Sequence, residues 1–427
     1  MKGRKDSAYF VNFNTIKYDN VFITQVLNWL QIYEKNGLFF DLVMFKSIKD
    51  LIFRQGQKDD VKEIRRVLKA RVIPLYLYNP NRFLGQYVAF FLFFLVIWTK
   101  IITGKAVVIQ MRSPQWYRAL KLLKRIGRKI KVIYDSRAAG ADEMRYFYEK
   151  DNSLSRYRHV VREIEKSEIE MARISDLVFC VSRKLKAYHL SQDPDLDASK
   201  FRVYPNSADP TGFYYSGELR EACRRELSIE KRKVLVYSGG IEAPWHLAPE
   251  IFRLFSLLHR LDRRYFLLLL TREIETARLY ISRQKMDEGD VRVISVHNTE
   301  VCKYLNAADC GLQLRASGIL SEVSSPTKFS EYLLTGLPVM ISEGVGDFSA
   351  FVRHHRVGCV LPHQYSRRNL IEIDNFLNSM ISGRLFSRQE IADLGKAHFS
   401  KEIYLPLRLA EFYRLAGAAD GQQGEGA

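Results

Sequence analysis

Short apolar runs alternating with longer stretches of helical periodicity constrain this chain more than any other feature. In the first half the runs fall at 8–13, 39–45, 72–77, 106–111, 131–134 and 176–181. ITQVLNWLQIY (23–33) typifies what lies between them, with apolar residues at helical spacing. Strand, helix and strand in series predict a parallel sheet with helices on both faces.

The segment VYPNSADPTGFYYSG (203–217) breaks the rhythm with two prolines and two glycines, so it reads as an inter-domain connection. The alternation then restarts, with runs at 234–237, 265–270, 291–296, 310–314, 338–342 and 358–361. At 427 residues the chain exceeds one ordinary core. The expected fold class is α/β, with two Rossmann-like doubly wound domains facing a cleft. The expected bounds are 1–205 for an acceptor or membrane-facing domain and 206–395 for a donor domain. A C-terminal helix at 396–416 packs back on the first domain, and the tail at 417–427 is disordered. Ligands of such sheets sit beyond the carboxyl ends of the strands, so the cleft is the expected site.

A hydrophobic share of 47% excludes a disordered chain. The net charge of +18 points to a polyanion, either nucleic acid or an anionic membrane. KLLKRIGRKIK (121–131) holds six cations and no acid. It reads as a solvated helix face or a membrane-facing patch. The apolar run VAFFLFFLVIW (88–98) falls short of the about 20 residues that span a bilayer. It is either a buried helix or one lying in a membrane surface. Together the two features favour an anionic membrane. Nucleic acid is disfavoured, since no aromatic–basic interleaving appears. The five cysteines form no C-x-x-C pair and read as reduced thiols in a cytosol. Residues 1–10 are charged, without a secretory apolar region.

The densest chemistry lies in SSPTKFSEYLLTGLPVMIS (324–342). Ser325 suits a helix N-cap, Pro326 the first helical position and Gly336 the C′ position. The open amides of such a helix start bind anions, and Lys328 adds a charge. Glu331 follows on the same face. A phosphate binder and a hydroxyl-binding carboxylate thus point one way, as a nucleoside diphosphate requires. The spacing also fits a capped core helix with a surface Lys–Glu pair.

This segment resembles the donor-site motif of the family-four retaining glycosyltransferases, the group 1 enzymes of GT-B fold. YSGGIEAPWH (237–246), QLRASGILSEV (313–323), GVGDFS (344–349) and VIYDSRAAGADE (132–143) extend the resemblance in the family's order. It implies that Lys328 contacts the donor diphosphate, that Ser325 and Thr327 offer amides or hydroxyls to it, and that Glu331 holds the ribose. Gly239 and Gly240 would let their loop approach the donor phosphate or the acceptor. Arg315 would be a second cation for the leaving diphosphate. In the first domain Asp135 and Arg137 are the best catalytic candidates, and they equally suit a structural ion pair. The sequence departs from the pattern twice. The earlier acid of the family's paired glutamates stands at Glu322, one residue out of register. After the first strand NTIKYDN (14–20) replaces a glycine-rich loop.

The resemblance implies electrostatic catalysis with no metal and no cofactor. D-P-D-L-D (193–197) mimics a metal motif but lies in a polar loop, and His354 and His355 have no partner at metal spacing. His246 could touch donor or acceptor, or be a plain loop residue. The expected activity is sugar transfer from a nucleotide-sugar donor to a lipid-linked or glycan acceptor, at the inner face of a bacterial cell membrane. A nucleotide-sugar epimerase of the same fold, or a non-catalytic partner subunit, are the rivals.

Overall fold

The computed structural model describes residues 7–12, 22–47, 60–77, 83–102, 106–127, 129–362 and 364–417. The NTIKYDN segment, Arg128 and the tail beyond 417 lie outside them. The chain divides into two compact units. One comprises 1–181, 185–204 and 404–427; the other comprises 182–184 and 205–403.

The first unit is built on seven strands: β1 (Ser7–Asn12), β2 (Phe40–Ser47), β3 (Val72–Leu77), β4 (Val107–Met111), β5 (Ile130–Ser136), β6 (Leu177–Cys180) and β7 (Phe201–Val203). They pair in parallel in the order β3-β2-β1-β4-β5-β6-β7. The order reverses between β1 and β4, which makes the sheet doubly wound. Leu42, Met44, Ile133 and Phe179 bury one face against Trp29, Leu30 and Tyr33. Phe412 and Leu415, near the end of the helix Lys401–Ala416, complete that core. Arg408 of this helix is 2% exposed. Its guanidinium lies 4.3 Å from the Trp29 ring centre and 4.9 Å from that of Tyr204, and donates to Tyr33 Oη at 3.1 Å.

The apolar run at 88–98 is part of the helix Phe83–Ile102. The helix is neither wholly buried nor wholly exposed. Phe93 and Ile97 are buried, whereas Val88, Phe91, Leu95, Trp98 and Ile102 are exposed. Their spacing of three and four residues sets these five on one stripe. Among the described residues no helix is long and apolar enough to cross a membrane. The following helix Tyr117–Ile126 also exposes Leu122 and Ile126. The connections β3 to β4 and β4 to β5 run the same way across the sheet. Right-handed crossovers therefore place both helices on one sheet face.

The basic run is less charged in three dimensions than in sequence. Lys121 pairs with Glu170 at 3.6 Å, and Lys124 and Lys131 pair with Asp176 at 2.8 and 3.4 Å. Exposed Arg125 and Lys129 make no ion pair with a described residue.

The second unit carries β8 (Lys233–Ser238), β9 (Tyr265–Leu270), β10 (Val291–Ile294), β11 (Cys310–Gln313), β12 (Val339–Ser342) and β13 (Gly358–Leu361). These are parallel in the order β10-β9-β8-β11-β12-β13. Alternate residues of the central strands feed two cores, Val234 and Val236 one and Leu235 and Tyr237 the other. Buried Asp309, ahead of β11, accepts from Arg224 at 3.2 Å, from the Val234 amide at 2.8 Å and from Arg220. All five cysteines are free thiols.

Candidate functional site

The second sheet reverses between β8 and β11, so the loops leaving those strands border a crevice. Gly239 and Gly240 follow β8, and Arg315 follows β11. The helix Thr327–Leu334 begins just downstream. Its end matches the expectation. Gly336 takes φ +69°, Leu337 N donates to Tyr332 O at 2.8 Å and Gly336 N to Leu333 O at 2.8 Å, a Schellman stop.

Its start corrects the expectation by one residue. Pro326, not Ser325, occupies the cap position at φ −62° and ψ 122°, and no side chain caps the helix. The Ser325 hydroxyl instead accepts the Asn206 amide at 2.9 Å. The first amides, of Thr327 and Lys328, are therefore left to water or a ligand.

Lys328 does not extend into solvent as a surface charge. Its ammonium donates to Tyr237 Oη at 2.9 Å and lies 4.3 Å from that ring's centre. The Tyr237 hydroxyl in turn donates to Gly240 O at 2.6 Å. Gly239, at φ +126°, leaves the space that the end of the lysine fills; a Cβ there would overlap Lys328 Cε and Nζ. Burial pushes the ammonium down to about 7, Arg315 acts in the same sense, and Glu331 and Glu273 oppose. Glu331 is 8% exposed. Burial raises its carboxyl to about 7, against the charges of Lys328 and Lys401. The surface Lys–Glu alternative is thereby excluded.

Sequence reasoning missed what holds these groups. Glu273, after β9, accepts the Glu242 amide at 2.8 Å and that of Ile241, pinning the glycine loop. His246 Nδ1 lies 2.6 Å from Gly240 O. A carbonyl only accepts, so Nδ1 carries the proton and Nε2 offers a lone pair. Burial, then the Lys328 and Arg315 charges, hold this histidine down to about 3 and hence neutral. Tyr237 stood inside the YSGG motif, yet nothing in the sequence said it would meet a lysine 91 positions away.

In the first unit Asp135, the penultimate residue of β5, is 2% exposed. It accepts from Arg137 at 2.8 and 3.0 Å and from Gln110 Nε2 at 3.1 Å. Burial alone would raise its carboxyl; Arg137, Arg408 and Arg112 outweigh that and hold it below the usual range. The ionised carboxylate is thus engaged by Arg137 on both oxygens and by Gln110 on one. Nearby Glu168, also unforeseen, accepts the Gly140 amide at 2.7 Å, and burial raises it to about 7. Asp193 pairs with Arg173 at 2.7 Å and Asp197 caps Ala198–Lys200, so two of the three carboxylates of that loop have structural partners.

A cavity of about 410 Å³ lies at the opposite, amino-terminal ends of β8 and β11, lined by Arg220, Arg224, Arg232 and Lys233. Those cations already pair with Asp309, Asp290, Asp262 and Asp374. It is not the site.

No family model matches the chain, and no curated protein matches it by sequence. Among solved structures it is similar to HepE of Anabaena in complex with UDP, at 12% identity and TM-score 0.69, covering 96% of this chain and 99% of that one. A glycosyltransferase of Rickettsia africae matches at 14% identity and TM-score 0.66, over 96% and 99%. Sucrose-phosphate synthase of Thermosynechococcus elongatus matches at 14% and 0.63, over 97% and 100%. At such identities the likeness is one of fold, and the fold is GT-B.

Proposed function

We propose that this chain is a glycosyltransferase that draws a sugar from a nucleoside-diphosphate donor bound at the start of the helix Thr327–Leu334. One observation carries the reading: a desolvated lysine, seated in the space left by Gly239, lies beside an uncapped helix start at the sheet's reversal point. Solved relatives of this fold bound to UDP and UDP-glucose make uridine nucleotides the first donors to try.

In this reading the diphosphate sits on the amides of Thr327 and Lys328, with Lys328 and Arg315 matching the charge that grows as the sugar–phosphate bond breaks. Glu331 accepts from the ribose. Gly240 shapes the loop, and neutral His246 accepts a hydroxyl through Nε2. Asp135 and Arg137 serve the acceptor side. Transfer proceeds with retention and without metal, so the assays include excess chelator and the product anomer is read by NMR. Sugar release or epimerisation without acceptor would favour the epimerase reading instead.

Protonation offers one test. With its ammonium lowered to about 7, Lys328 is about nine-tenths neutral at pH 8 in the free protein. A diphosphate restores the cation, so binding takes up a proton. Glu331, raised to about 7, is already ionised at pH 8 and releases little. Affinity therefore falls as pH rises above 7. Calorimetry in two buffers of different ionisation enthalpy is expected to show uptake approaching one proton, absent in Lys328→Ala. Equal uptake in both proteins contradicts the assignment.

The acceptor we propose is membrane-associated, a lipid-linked or polysaccharide precursor met at the inner face of the cell membrane. The support is the Val88–Phe91–Leu95–Trp98–Ile102 stripe, sharing a sheet face with exposed Leu122, Ile126 and Arg125. Because Lys121, Lys124 and Lys131 of the basic run are paired, apolar insertion dominates. Phe91→Asp with Leu95→Asp is expected to yield a folded protein that no longer floats with phosphatidylglycerol vesicles. High salt removes only part of wild-type binding. Wild-type protein that ignores such vesicles at low salt contradicts this.

A further inference from the structure

We propose that Asn206 is a positioning residue that keeps the start of the donor helix open for the diphosphate; the inference rests on the donor site proposed above. Its geometry is direct. The Asn206 amide donates to Ser325 Oγ at 2.9 Å, its Nδ2 donates to Ser325 O, and its carbonyl accepts from Ser330 Oγ at 2.6 Å. One residue thus brackets the first turn and a half of the helix Thr327–Leu334 from both sides. Ser325 and Ser330 are 5% and 0% exposed, so the three bonds are shielded from competing water.

The consequence follows from helix chemistry. A serine just ahead of a helix ordinarily turns its hydroxyl onto the second or third amide and satisfies it. Here the hydroxyl of Ser325 is diverted to Asn206, and the helix has no side-chain cap. Amides that a serine would occupy stay available to phosphate oxygens. Asn206 itself is held by its neighbours. Ala208 N donates to Phe399 O at 3.0 Å, and Lys401 N donates to Ala208 O at 3.0 Å. The Asn-Ser pair of the inter-domain connection therefore acts on the donor site without touching the donor. Ser325 is reassigned with it, from a donor contact through its hydroxyl to the anchor of this latch.

The test titrates UDP, GDP and ADP into the full-length protein, and carries the tightest through Asn206→Ala, Asn206→Asp, Ser325→Ala, the Asn206→Ala/Ser325→Ala double variant and Lys328→Ala. Freeing the Ser325 hydroxyl to cap is expected to weaken binding about tenfold in Asn206→Ala, the scale of one shielded hydrogen bond, whereas Ser325→Ala has no hydroxyl to cap with and keeps near wild-type affinity. The double variant is expected to recover the affinity of Ser325→Ala, because the hydroxyl that would occupy the amides is gone; a double variant as weak as Asn206→Ala overturns the proposal. Asn206→Asp keeps the shape but faces the Ser325 carbonyl with an acceptor, so it binds at least as weakly as Asn206→Ala. Thermal midpoints serve as the control for folding, since a merely structural residue would move them together with affinity. Wild-type affinity in Asn206→Ala alongside weakened Ser325→Ala means that Ser325 touches the donor directly, and overturns the proposal. Wild-type affinity in both, with Lys328→Ala weakened, overturns the latch and leaves the donor site standing. Unchanged affinity in Lys328→Ala overturns the donor site itself.

Discussion

Lys328→Ala is expected to lower the transfer rate by about a hundredfold to a thousandfold and to weaken nucleoside-diphosphate binding, with the fold unharmed. The rate figure reflects a loss of about 2.7–4 kcal/mol when one pre-aimed donor is removed from a developing anion. The intact fold follows from the lysine's own cost. Burial holds its ammonium down to about 7, so folding already works against its charge. Removing it also leaves the Tyr237 hydroxyl its bond to Gly240 O. Thermal unfolding of the variant should therefore match or exceed wild type. Gly239→Ala should mimic the kinetic defect from the other side, because its methyl group takes the lysine's place. The double variant should be no slower than Gly239→Ala alone. Steady-state kinetics with a nucleotide-sugar donor, paired with thermal melts, checks all three. A Lys328→Ala enzyme of near-normal rate would contradict the electrostatic role.

Asp309→Ala is expected to destabilise the second unit by about 3–5 kcal/mol, the usual cost of leaving buried cations without their acid. Arg224 is 8% exposed. It would keep its carbonyl partners at Ala307, Ile229 and Arg232 but lose its counter-charge, and β8 would lose a partner for the Val234 amide. For a unit of this size that is a fall of roughly 10 °C in melting temperature. The effect also has a pH signature. Burial alone would raise the Asp309 carboxyl, but Arg220 and Arg224 outweigh it and hold the group below its ordinary value. A depressed carboxylate stabilises the fold above its unfolded value of about 3.9. That contribution is lost as pH falls through the folded value. The gap between wild type and Asp309→Ala should thus be full near pH 7 and shrink on acidification. A gap that widens in acid would contradict the ion-pair account.

The sheets were legible because parallel, doubly covered strands are apolar throughout. The runs at 72–77, 265–270 and 358–361 agree with β3, β9 and β13 to the residue. β7 was missed because FRV is too short to show a period. Helix Phe83–Ile102 exceeds the apolar run at 88–98 because GQY and TK at its ends are polar enough to hide it. Among the site residues, Lys328 and Glu331 stood out through local spacing. Their burial did not, since it depends on Gly239, Tyr237 and Glu273, all distant in sequence. The helix start shifted by one residue for the same reason: Ser325 answers to Asn206, 119 positions earlier.

Hydrogen–deuterium exchange locates the donor diphosphate. The full-length protein is labelled with and without a saturating nucleoside diphosphate, chosen from UDP, GDP and ADP by titration, and peptides are read by mass spectrometry. Slowed exchange is expected in peptides covering Tyr237–Glu242 and Ser325–Glu331, with the Lys328→Ala variant losing that protection. Protection confined to other segments, or none with any of the three nucleotides, would contradict this donor site.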